Sequence, residues 1–86
     1  MSAIEEVIAA LQAVVDELND TSNAAASATA KADDAMSQAV VLGATATVAG
    51  LSAVKESIEK LSQQVQGTLD IANDMITQAH AVADGT

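Results

Sequence analysis

Apolar side chains return at seven-residue steps along nearly the whole 86-residue chain. Ile4, Leu11, Leu18, Ala25, Ala32 and Ala39 form one row, and Val7, Val14, Thr21, Ala28, Ala35 and Leu42 follow three residues after each. The pattern resumes with Leu51, Ile58, Val65, Ala72 and Ala79, followed three residues on by Val54, Leu61, Thr68, Met75 and Val82. Such spacing is the a/d pattern of helices that pack along a narrow seam. Gly43 separates the two runs, where a residue able to adopt left-handed backbone ends a helix. The fold class this predicts is all-α: an antiparallel two-helix hairpin of long, coiled-coil-like helices. Helix 1 covers about 3–42, the bend about 43–47 and helix 2 about 48–83, within one domain over 1–86.

The boundaries have local chemistry. Ser2-Ala3-Ile4-Glu5 fits a capping box, in which the serine hydroxyl and the glutamate carboxylate satisfy backbone N–H groups at a helix start. Thr45 or Thr47 is suited to cap helix 2. Asn19-Asp20-Thr21-Ser22-Asn23 is the weak point of helix 1, because these residues favour caps and turns. The heptad passes through without a skip, which predicts one continuous helix. If the chain folds back about residues 43–47, residues whose numbers add to roughly 93 share a height, given equal rise in both helices. Ala32 then meets Leu61 and Ala28 meets Val65, small against large.

Towards the open end the apolar stripe is broader than the seam. Ile8, Val15, Leu69, Ile71 and Ile76 flank it, and two helices alone do not cover a stripe that wide. These residues are expected to form an interaction surface. The implied assembly is a homodimer, or a heterodimer with a similar helical hairpin, as a four-helix bundle.

Composition narrows the function. The chain has no proline, cysteine or aromatic residue, and helix formers dominate it. A net charge of −9 repels nucleic acid and anionic lipid. Residues 35–54 carry no charge over about the length of a bilayer span. Their Ser, Thr, Gln and Gly content and the lack of a basic or aromatic anchor on their N-terminal side read against a membrane helix. The start Met1-Ser2-Ala3-Ile4-Glu5-Glu6 lacks the features of a cleavable signal peptide, so the expected location is cytoplasmic, or secreted by another route.

Little in the chain points to chemistry. His80 is the one imidazole and there is no thiol, so neither a His/Cys nucleophile pair nor a multi-histidine metal site can be built from one chain. Asp16, Asp20, Asp70 and Asp74 offer oxygen ligands for a hard cation, but they lie away from the seam and read as a solvated face. The expectation is no enzyme, no catalytic residue, no cofactor and no metal. Acids crowd the open end, which suits either a basic partner or solubility alone.

The bend reads Val41-Leu42-Gly43 and the tail reads His80-Ala81-Val82-Ala83-Asp84. In length, midpoint bend and missing signal peptide the chain resembles the small helical hairpins of type VII secretion. That family carries Trp-x-Gly at the bend and often Tyr-x-x-x-Asp/Glu near the tail. Val41 stands where the family has Trp and His80 where it has Tyr, so Gly43 and Asp84 are the positions that carry over. The resemblance implies pairing with a sibling hairpin, folded export, and a tail read by secretion machinery. A cytoplasmic coiled-coil oligomerisation or adaptor module is the alternative, and a hairpin that inserts its uncharged bend into a membrane is a third reading.

Overall fold

A computed structural model describes residues 2–85, and these form a two-helix hairpin: α1, Ala3–Val41, and α2, Thr45–Gly85. The Cα atoms extend over 65 × 17 × 12 Å. The capping box is in place at the start of α1. The Ser2 hydroxyl accepts from the Glu5 N–H at 3.2 Å, and the Glu5 carboxylate accepts from the Ser2 N–H at 3.3 Å.

α1 runs unbroken through Asn19–Asn23. The Thr21 hydroxyl donates to the Glu17 carbonyl at 3.0 Å, so a side chain that could compete with the helix is bonded back onto it.

At the bend, Gly43 has φ +71°, the left-handed conformation that an L side chain strains to adopt. The Gly43 N–H donates to the Val40 carbonyl at 3.0 Å and the Ala44 N–H to the Ala39 carbonyl at 2.9 Å. This crossed pair is a Schellman motif, and it satisfies two carbonyls that the end of α1 would otherwise leave open. The bend is therefore only Leu42–Ala44, shorter than the expected 43–47. Thr45 and Thr47 lie inside the first turn of α2 instead of capping it, and the Val48 N–H donates to the Ala44 carbonyl at 3.0 Å.

A tighter bend changes the register. Val41 and Thr45 flank the bend, and the Lys55 ammonium reaches the Asp33 carboxylate across the hairpin at 2.8 Å. Residues whose numbers add to about 87, not 93, therefore share a height. Ala32 stands opposite Lys55, and Ala25 opposite Ser62.

The seam itself is shifted by one residue on its second row. The Ile4 row is inward as expected, with Ala25, Ala32 and Ala39 buried on α1 and Val65, Ala72 and Ala79 buried on α2. Its companion is the row four residues on: Ile8, Val15, Ser22, Thr29 and Met36 on α1, and Lys55, Ser62, Leu69 and Ile76 on α2, all buried or half-buried. In heptad letters the Ile4 row is d and the Ile8 row is a. Two expectations are corrected by this. Ile8, 8% exposed, and Leu69, 6% exposed, are core residues of the hairpin rather than parts of an outer surface. Val15 and Ile76 are half-buried in the same row. Among the five flanking residues, only Ile71 stands clear of the seam, at 62% exposed.

Candidate functional site

The row that the seam leaves out is the row three residues after Ile4. Val7, Val14, Val54, Leu61, Met75 and Val82 are each between 47% and 55% exposed. A nearly constant half-exposure along both helices means that these side chains hold one equivalent position, flanking the seam.

Their placement on one face follows from helix geometry. The row is g in heptad letters, and in an antiparallel pair the g rows of both helices lie on the same side of the seam, with the e rows on the other. The g side reads Val7, Val14, Thr21, Ala28, Ala35 and Leu42 on α1, then Val54, Leu61, Thr68, Met75 and Val82 on α2, without a charge. The e side reads Glu5, Gln12, Asn19, Ala26, Asp33 and Val40, then Ser52, Glu59, Gln66, Asn73 and His80. The hairpin thus has one apolar broad face and one polar broad face. The Asp33–Lys55 ion pair lies on the polar side.

Two threonines interrupt the apolar face, and both are bonded within their own helices. The Thr21 hydroxyl donates to the Glu17 carbonyl, and the Thr68 hydroxyl donates to the Gln64 carbonyl at 2.9 Å. Each donor therefore keeps its partner if water is removed, and covering them leaves no unpaired O–H. A shallow depression lined by Ala53, Val54, Ser57, Ile58 and Leu61 lies along α2 on this side.

On the polar face, Lys55 occupies a seam position. The hydrogen bond to the Asp33 carboxylate, together with that charge, raises its pKa above the ordinary lysine range; partial burial opposes this and Glu59 adds to it. The Asp16, Asp20, Asp70 and Asp74 carboxylates do not form a metal-binding group: no three or more such side chains gather among the described residues. His80 and Asp84 are exposed in the last turns of α2, and Gly43 is the bend residue described above.

No described helix is both long and apolar enough to cross a membrane. The sequence pattern offers the residues of this apolar face as the second row of the seam, and the packing of α1 on α2 turns them to its flank instead. Comparison with protein-family models, curated proteins and solved structures gives no match.

Proposed function

We propose that this protein is a non-enzymatic helical interaction module, whose apolar face receives a like helical hairpin to make a four-helix bundle. One observation carries the reading: the uncharged g rows of both helices stand side by side along the hairpin, with Val7, Val14, Val54, Leu61, Met75 and Val82 all half-exposed. Helices of a bundle use a, d and one of e or g as their core-facing stripe, whereas a two-stranded coiled coil uses a and d alone. The chain supplies the wider stripe on one side only.

Leu61→Lys with Met75→Lys tests it. Both side chains are exposed, so the doubly substituted chain keeps its helical circular dichroism at low concentration. The wild type is expected to assemble with itself, or with a hairpin captured from its own cells, and the variant to lose that assembly. Unchanged assembly in the variant overturns the reading.

Export with such a partner is the finer version that the type VII resemblance suggests. It is supported by the left-handed Gly43 at the bend and by the exposed Asp84 tail. It requires the protein in culture medium and its loss from the medium on Asp84→Ala; retention in cells favours the cytoplasmic module.

A further inference from the structure

The rim of the apolar face carries two charges, and their positions say what covers it. The c row borders the g row and reads Ala3, Ala10, Glu17, Ala24, Lys31 and Gln38 on α1, then Gly50, Ser57, Gln64, Ile71, Gln78 and Gly85 on α2. Glu17 and Lys31 are its charged members, and neither takes part in an ion pair among the described residues. They have opposite sign, share one helix, and lie seven residues to either side of Ala24.

Resting on the interaction face proposed above, we infer that its occupant is a second copy of this chain, laid on it in reverse by a two-fold axis that crosses α1 near Ala24. That operation stacks α1 on α1 and brings Glu17 level with the second copy's Lys31, twice by symmetry. The same axis sets Thr21 within about one residue rise of the second copy's Ala28, and Val14 likewise beside its Ala35, so larger side chains meet smaller ones. It also carries the acidic open end, with Glu5 and Glu6, to the bend of the other copy, where residues 35–54 hold no charge.

A copy laid in the same direction fails on each count. It stacks α1 on α2, where Glu17 finds Ile71 and Lys31 finds Ser57, and it brings the two acidic open ends together in a chain of net charge −9. The area is sufficient: a face of 65 by 17 Å is on the order of 1,000 Å², against roughly 800 Å² per partner in a standard stable interface.

The test is a charge swap followed by sedimentation equilibrium of the full chain. Glu17→Lys and Lys31→Glu are each expected to weaken the dimer about three- to tenfold, since each turns two rim attractions into repulsions. The double swap Glu17→Lys/Lys31→Glu is expected to return it to within about twofold of wild type. Because the chain has no cysteine, Thr21→Cys/Ala28→Cys offers an independent readout, with a covalent dimer expected on mild oxidation. A folded wild type that remains an 8.6 kDa monomer at high micromolar concentration overturns the second copy as occupant. A double swap that fails to restore the dimer, or cross-linking through Thr21→Cys/Thr68→Cys in place of Thr21→Cys/Ala28→Cys, overturns the two-fold axis near Ala24. In those last two cases the interaction face stands and only the reversed arrangement falls. If Leu61→Lys/Met75→Lys leaves a dimer intact, the face itself is wrong.

Discussion

Among single residues, glycine at the bend and glycine within a helix behave in opposite ways. Gly43 has φ +71° with open space where a Cβ would sit, so Gly43→Ala meets no neighbour and still strains the backbone. The cost is expected to be about 1–2 kcal/mol. Gly67 lies inside α2 with nothing within 4 Å of its Cβ position, and Gly67→Ala is expected to stabilise by about 0.5–1 kcal/mol through a less flexible unfolded chain and better helix propensity. Urea unfolding of both variants checks the pair; equal signs would mean that the bend is not held by a left-handed residue. In the seam, Leu69 is 6% exposed, and Leu69→Ala is expected to cost about 2–5 kcal/mol, through lost burial and the cavity left behind.

For the helices, the seven-residue repeat, the capping box at Ser2 and the break at Gly43 were legible in the sequence. The side of the second row was not, and the residues explain why. On α1, Val7 and Ile8, Val14 and Val15, and Thr21 and Ser22 are adjacent near-equivalents, so an i+3 and an i+4 seam score alike there, while on α2 Val54 beside Lys55 and Leu61 beside Ser62 favour i+3. Packing decides between them, and α1 with α2 chose i+4. Pattern also gave no sign of the Schellman hydrogen bonds that shorten the bend, and a bend shorter by two residues moves every height pair. Lys55 carries the clearest trace of that register, a charge in the seam answered by Asp33 across it. Because its folded pKa is raised above the unfolded value near 10.5, its contribution to stability is fully present below that value. The contribution is lost as pH climbs through the raised pKa. Asp33→Asn is therefore expected to lower the melting temperature at neutral pH. The gap between wild type and variant should close in strongly alkaline buffer, and a gap that is constant with pH would mean that the pair does not act through Lys55's charge.

On the scale of the whole molecule, each helix has two rows beside d, and one hairpin can bury only one of them. The a row closes α1 on α2; the g row remains half-exposed along the length of the hairpin. The proposed assembly and the fold would thus draw on adjacent residues of the same helices, and one measurement separates them. Leu61, 47% exposed in the hairpin, belongs to the g row proposed for assembly, whereas Leu69, 6% exposed, belongs to the buried a row. A partner that binds only the folded chain stabilises it by mass action, so the melting temperature of the wild type is expected to rise with protein concentration. Leu61→Ala should then melt close to wild type at low micromolar concentration, where the hairpin stands alone, and fall progressively behind it as concentration rises. Leu69→Ala should already be destabilised at the lowest concentration. If the Leu61→Ala deficit is the same at every concentration, its side chain serves the hairpin's own fold, and the apolar g face is surface rather than interface.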